Sequence, residues 1–414
     1  MARKLLFDLR VKAESGKAVL YFGKGTPAYQ ADPEDRNPLN IRIYRKEEPG
    51  FVFGQDYLEY FDGIDPREAD LIFEGRLPAK NGKTYMFADE TAEIGRTYAY
   101  WVTADGQEAP TGPVPVRVRD PLVWWPRAAV EGYMDRLAAE FPALAAAEEY
   151  GRTVRGRPIR GLVLGNRRRC VALVGLVHAG ESGPELMLPA AERLLRECGD
   201  LLADAGLALL PAVNIDMREL QTEGVPAYLR TNFNGVDINR NFPAHWETVD
   251  TSYGQDTSDP HVTTYRGEAP FSEPETRALA AFAERTEPLA AFSFHCLASI
   301  CGDRFLTSKF AEGDRAFAER AVPLLEAYTE GFGPGERPAP LLQFECTAGS
   351  FPSWMYLARG VPAFDLEYDG RPGARAALTD GTTRELLREY QERHYRGIRR
   401  VLERIRDEEG SGHP

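Results

Sequence analysis

No stretch of this 414-residue chain is apolar for long enough to cross a bilayer. The opening segment MARKLLFDLRVKAESGK carries basic residues but no apolar core of a secretory leader. Cysteine is scarce and odd in number, with five residues at 170, 198, 296, 301 and 346 in no framework spacing, so no disulfide scaffold is expected. Together these absences favour a reducing, cytoplasmic setting and exclude a membrane-spanning role. Positive charge is also in deficit: 50 Lys and Arg face 63 Asp and Glu, for a formal charge of −13. That sign repels phosphate backbones and anionic membrane surfaces, which excludes nucleic acid and membrane as partners. The one basic run, Arg167-Arg168-Arg169, sits beside an expected strand and reads as the cap of a solvated turn. Histidine is rarest of the charge-bearing residues, at six.

What is present suffices for large cores, with 43% hydrophobic and 27% charged residues. A chain this long holds two or three domains. Its first part reads as all-β: Leu5–Val11, Ala18–Phe22, Asn40–Tyr44, Asp70–Phe73 and Tyr98–Val102 are short, rich in β-branched and aromatic residues, and separated by Gly, Pro or Asp clusters. The chain turns at Asp105-Gly106 and resumes over Val114–Val118. Strands at this spacing without helices between them predict an antiparallel sandwich over residues 1–120. The pattern Gly95-x-x-Tyr98-x-Tyr100-x-Val102 resembles a strand region of fibronectin type III (immunoglobulin-like) modules over the last third of the segment.

After DPLVWWP (120–126) the pattern changes. Arg127–Glu140 places Val130, Met134 and Leu137 at helical spacing. Strands are then expected at Gly161–Leu164, Val171–Val177, Leu207–Val213, Leu289–Phe294 and Ala363–Glu367. Helices are expected at Glu185–Glu197, Glu273–Glu284, Asp314–Tyr328 and Thr383–Asp407. Such alternation predicts an α/β domain over 121–407, a mixed, mostly parallel sheet flanked by helices, with 408–414 as a tail. A Gly/Asn/Pro-rich loop from Asn214 to about Pro270 interrupts it, and loops of that length tend to carry function.

Catalytic zinc takes three protein ligands, His nitrogen or carboxylate oxygen, and keeps a position for water. His178 and Glu181 follow the apolar strand expected to end at Val177, and His295 terminates the apolar run LAAFSFH. All three therefore sit at strand ends. Alone, the His-x-x-Glu spacing favours a structural histidine beside a capping glutamate over a metal site.

From about Tyr133 to Leu402 the chain resembles the zinc metallocarboxypeptidase (carboxypeptidase A-like) family. The likeness runs in order through YMDRLAAEFPAL…GRTVRGRPI, HAGES, RTNFNGVDINRNF (230–242), FSEPET (271–276) and Phe364-Asp365-Leu366-Glu367. It implies one Zn²⁺ per chain on His178, Glu181 and His295, with Asp237 orienting the first histidine. It also implies that Asn239 and Arg240 hold a substrate's free carboxylate, for which a guanidinium fork is suited. Arg230 would face the oxyanion, a contribution of about 2.7–4 kcal/mol where such donors act. Glu367 would be the proton-handling base. Asp365 shares a strand face with Glu367, and Asp369 is another acid nearby, so periodicity leaves these rivals open; the resemblance selects Glu367.

Three departures surround the expected cleft. Gly180 stands between the ligands where some family members carry arginine, Cys296-Leu297 follow His295, and Phe344-Glu345 align near the flap position that usually bears tyrosine. Glu345 is thus a candidate substrate contact favouring a positive charge near the scissile bond. Cys296, Cys301 and Cys346 read as buried inert thiols, and His245, His261 and His394 as loop or surface packing, with His413 in the tail. The implied activity is removal of a C-terminal residue from a peptide or peptide-like substrate by metal-activated water. Two further readings stand: a zinc amidase acting on a cell-wall peptide or an acylated amino acid, and a non-catalytic carboxypeptidase-like binding protein.

Overall fold

The computed structural model describes residues 6–24, 39–48, 57–78, 84–181, 183–248, 251–252, 254–295, 304–332, 338–367 and 383–410. Cys296, Cys301, Asp369 and His413 therefore lie outside the described residues. Two compact units are present, residues 1–124 with 220–228, and residues 125–219 with 229–414.

Among the described residues, the first unit contains seven antiparallel strands. β1 (Leu6–Glu14), β2 (Lys17–Lys24) and β5 (Thr84–Asp89) form one sheet in the order β1-β2-β5. In the other, β3 (Asn40–Glu47), β4 (Asp70–Arg76), β6 (Thr97–Ala104) and β7 (Thr111–Arg117) run β4-β3-β6-β7. Alternation along the strands sends Leu20, Phe22, Ile41, Ile43, Tyr98, Tyr100, Val102 and Val116 into one shared core. Segment 220–228, drawn from the long loop, joins this unit through backbone bonds from Ala13 N to Glu223 O and from Arg117 N to Gly224 O, both 2.7 Å.

The second unit is built on an eight-stranded mixed sheet in the order β16-β15-β17-β14-β10-β11-β9-β8. Its strands are β8 (Ala145–Arg152), β9 (Pro158–Leu164), β10 (Cys170–Val174), β11 (Gly206–Leu210), β14 (Ala290–His295), β15 (Arg304–Ser308), β16 (Gln343–Cys346) and β17 (Ala363–Glu367). A two-stranded pair, β12 (Thr251–Ser252) with β13 (Gln255–Asp256), lies outside it. The four central strands β11, β10, β14 and β17 are mutually parallel, whereas β8, β9 and the β15–β17 pairing are antiparallel. Every residue of those four strands is buried, which is why CVALV and GLALL lack polar alternation, whereas AAFSFH and AFDLE bring Ser293, His295, Asp365 and Glu367 to the buried strand ends. The chain leaves β10 for β11 on one side and later returns to β14 on the other. A crevice between β10 and β14 is where such a reversal exposes strand C-termini to a ligand.

Two expectations need correction. β10 ends at Val174 and does not reach Val177, because Leu176 takes a positive φ of 48° and turns the chain away. Gly175 and Gly183 make that turn possible: a Cβ on Gly183 would lie 2.9 Å from Gly175 Cα. The long loop also contains a helix, Ile215–Thr222. Its buried face carries Asp216, Arg218 and Gln221, so no apolar stripe announced it.

His394, read from sequence as loop or surface packing, is fully buried in the helix Arg384–Gly410. Its Nδ1 shares a hydrogen bond with Tyr328 Oη at 2.7 Å, and its ring meets Phe294 edge-on. Burial lowers its pKa from 6.5 to about 3, so the unfolded chain takes up this proton first as pH falls. The stability contributed by neutral His394 is complete above pH 6.5 and is lost between 6.5 and about 3. The slope reaches about 1.4 kcal/mol per pH unit. Urea midpoints measured across this window should fall less steeply for His394→Gln than for the natural chain; parallel slopes would contradict the assignment.

Candidate active site

The loop after β10 carries His178 and Glu181, and β14 delivers His295 as its last residue. The parallel register of β14 and β17 sets Ser293 beside Asp365 and His295 beside Glu367. The donor atoms of His178, Glu181 and His295 converge within 4.8 Å of one another, and all three residues are buried. His178 Nδ1 lies 3.1 Å from Glu181 Oε1, His295 Nδ1 lies 3.0 Å from Glu181 Oε2, and the two Nδ1 atoms are 3.2 Å apart.

Contacts on the far side of each ring decide what those nitrogens carry. His178 Nε2 is 3.1 Å from Asp237 Oδ1, an acceptor only, so the ring proton sits on Nε2 and Nδ1 presents a lone pair. His295 Nε2 faces Ser293 Oγ at 3.0 Å and Asp365 Oδ1 at 3.3 Å, which favours the same tautomer. Two lone pairs and a carboxylate thus point at one another in a buried cluster. That arrangement repels itself unless a cation lies among the three. Burial alone would raise the Glu181 and Asp237 carboxyls. With no cation bound, the positive charge that a proton brings to the imidazole pair at Glu181, and Arg230 with His178 at Asp237, outweigh burial and hold both well below the usual carboxylate range. The set fits a zinc ion: two neutral imidazoles and one ionised carboxylate, with Asp237 fixing the first ring.

Arg230, Asn239 and Arg240 come from the loop expected to hold them. Arg230 is clamped to Asp237 Oδ2 through Nε at 2.9 Å and Nη2 at 2.8 Å. Asn239 is braced more tightly than expected for a substrate contact. Its N–H donates to Asp237 Oδ1 (2.9 Å), its Nδ2 donates to Asp365 Oδ2 (2.8 Å), and its Oδ1 accepts from Phe351 N (2.8 Å). Arg240 Nη1 donates to Asn239 O at 2.8 Å. The FSEPET segment supports this loop from behind. Asn232 Nδ2 donates to Glu273 and Glu275, while Asn241 Nδ2 donates to Ser272 Oγ and the carbonyls of Arg266 and Ala269. His178, Arg230, Asn239, Arg240, His295, Glu345, Asp365 and Glu367 all line one cleft of about 690 Å³.

Glu345 is half-exposed and paired with Arg304 Nη1 at 3.1 Å, so its charge is already answered from within the chain. Cys346 is a free buried thiol, its pKa pushed well up by burial, with Sγ 3.6 Å from Asp365 Oδ2. Sequence reasoning missed the support under the ligand loop. Buried Arg218 donates to the carbonyls of Ala179 (3.2 Å) and Glu181 (2.7 Å) and pairs with Glu185, which also accepts from Trp125 N at 2.8 Å. Only an expected helix at 215–222 could have aimed Arg218 there.

Gly349 is the wall on which Arg240 rests. Its φ is +73°, and a Cβ would lie 2.2 Å from Arg240 O. Gly349→Ala should therefore cost more than about 1 kcal/mol through backbone strain alone. We expect a lower melting midpoint together with a raised KM, since the clash displaces the backbone of Arg240. A variant matching the natural chain in both would show that the approach is not tight.

A buried His–Glu–His donor set at the parallel strand ends of a mixed sheet defines a zinc-site protein of α/β architecture. The chain belongs to the zinc carboxypeptidase family, whose model matches residues 130–372. Murein peptide amidase A of Escherichia coli K12 is 34% identical over 153 residues, 36% of this chain and 58% of that protein. Gamma-D-glutamyl-L-diamino acid endopeptidase 1 of Lysinibacillus sphaericus is 28% identical over 176 residues, 35% of this chain and 43% of that protein. The chain thus spans about half the length of the curated relatives it matches. The solved carboxypeptidase A from Helicoverpa armigera shares the fold, with a TM-score of 0.56 at 16% identity over 90% of this chain and 99% of that one. Among the described residues, no helix is long and apolar enough to cross a membrane.

Proposed function

We propose that the chain is a zinc-dependent metallocarboxypeptidase that hydrolyses the amide bond beside a substrate's free carboxylate. The observation that carries this reading is the convergence of His178, Glu181 and His295 at the cleft that also holds Glu367 and Arg240. A zinc ion on those three ligands supplies Lewis acidity, polarising a carbonyl and making water acidic near neutrality. Glu367, at the end of β17 next to His295, accepts the proton released by the attacking water and returns it to the departing amine. Arg240 pairs with the substrate carboxylate and so sets which amide lies over the ligands. Arg230, held rigid by Asp237, is aimed at the charge developing on the carbonyl oxygen.

A second reading keeps this machinery and changes the substrate to a cell-wall peptide amide. It is favoured by the 34% identity to a murein peptide amidase. Both substrates can present a carboxylate to Arg240, so one experiment addresses them together. The zinc-loaded chain is given peptides ending in a free carboxylate, the same peptides as C-terminal carboxamides, and a murein tripeptide. Cleavage should require the carboxylate, and Arg240→Met should lower kcat/KM by roughly 10- to 100-fold, the loss of one charged hydrogen-bonding pair. Equal cleavage of the carboxamides would remove the proposed role of Arg240. Binding without cleavage of any substrate would replace the enzyme by a carboxypeptidase-like binding protein.

A further inference from the structure

Asp365 entered the sequence reading as a rival base. In the fold it is 5% exposed and lies against three groups. Oδ2 accepts from Asn239 Nδ2 at 2.8 Å and lies 3.6 Å from Cys346 Sγ, while Oδ1 stands 3.3 Å from His295 Nε2. That Oδ1 has no hydrogen-bond partner of good geometry and is shut off from solvent. A buried, half-satisfied carboxylate is costly unless positive charge lies close by. The imidazole it faces becomes that charge when a cation binds its other nitrogen, because coordination at Nδ1 makes the Nε2 proton more acidic.

We propose that Asp365 is a positioning residue that sets the tautomer of His295 and ties the metal ligands to the carboxylate-binding loop. The role rests on the zinc-hydrolase reading above. Its first half follows from donor and acceptor arithmetic: an ionised carboxylate at Oδ1 tolerates only Nε2–H, which leaves Nδ1 bare and pointing at Glu181. The second half runs through Asn239, whose N–H is held by Asp237 and whose Nδ2 is held by Asp365. Asp237 serves His178 and Asp365 serves His295, so one asparagine spans the supports of both imidazoles.

An asparagine at position 365 separates this role from simple packing. To keep the bond from Asn239 Nδ2, its carbonyl oxygen must occupy the Oδ2 position, and its NH₂ then faces His295 Nε2. The ring would have to accept there and carry its proton on Nδ1, the atom that should face the metal. Asp365→Ala imposes no such reversal, because Ser293 Oγ still accepts from Nε2 at 3.0 Å. Zinc affinity is read by competition with a chromophoric chelator, and cobalt(II) absorption reports the ligand field at His295. Asp365→Asn should lose about 10- to 100-fold in zinc affinity, the range for a lost outer partner of a histidine ligand, with an altered cobalt spectrum. Asp365→Ala should lose less. An Ala variant that binds more weakly than the Asn variant, or an Asn variant at natural affinity, would overturn the role. A natural chain that binds no zinc would instead remove the proposed function, and this role with it.

Discussion

Glu367→Gln is expected to lower kcat by about 10²- to 10⁴-fold, the usual worth of a positioned general base, while zinc binding is retained. The amide has the size of the carboxylate it replaces but cannot take a proton from water. Glu367 is 8% exposed, lines the cleft and is the register neighbour of His295, so it can meet solvent without being a ligand itself. Asp365 shares its face of β17 but is held between Asn239 and His295 and has no room to carry protons. Steady-state kinetics on the zinc-loaded variant, beside a direct count of bound zinc, check the division of labour. Turnover near the natural rate with full zinc would transfer the base to another group.

Removal of the metal should have the second large effect. Chelation is expected to abolish turnover, and added zinc to restore it. It should also lower the melting midpoint, since a ligand present at 100 times its Kd stabilises the folded state by about 2.7 kcal/mol, on the order of 5 °C here. The structural reason is the concentration of ionised groups at the site. Glu181 is entirely buried between two imidazoles, and Asp237 and Asp365 lie immediately behind them. Without a cation, burial disfavours a charged His295, yet the Asp365 and Glu181 carboxylates outweigh burial and raise its pKa well above the ordinary value. A proton then serves where the metal belongs. His295→Ala should erase both the zinc-dependent melting shift and the activity. Activity and melting that ignore the chelator would end the metal-site assignment.

The support around the site explains why isolated motifs in such a chain are informative but incomplete. Asp237 receives Arg230 and the backbone of Asn239 within seven residues of sequence, contacts that the sequence reading did not foresee, and His178 from 59 positions away, the partner that the resemblance implied. Arg218 holds the backbone of the ligand loop from a helix that polar buried positions concealed, and it pairs there with Glu185 of the expected helix. Glu345 lines the cleft, where its charge is answered by Arg304. The pairing is between neighbouring strands β15 and β16, and no pattern in either segment announces that adjacency.

By itself the sequence determined the class of architecture, the central strands β10 and β11 as uninterrupted apolar runs, and the residue types that a zinc site needs at strand ends. These are local properties: burial on both faces writes itself as VIL-rich segments, and the ligand motifs span only a few residues. Strand order, register and tautomer were settled only in three dimensions. The parallel pairing that puts His295 beside Glu367 and Ser293 beside Asp365 joins segments some seventy residues apart. The bond between Asn239 and Asp365 spans 126 positions. Whether a buried carboxylate is a base or a brace depends on which atoms lie within about 3 Å of it, and those atoms come from distant parts of the chain.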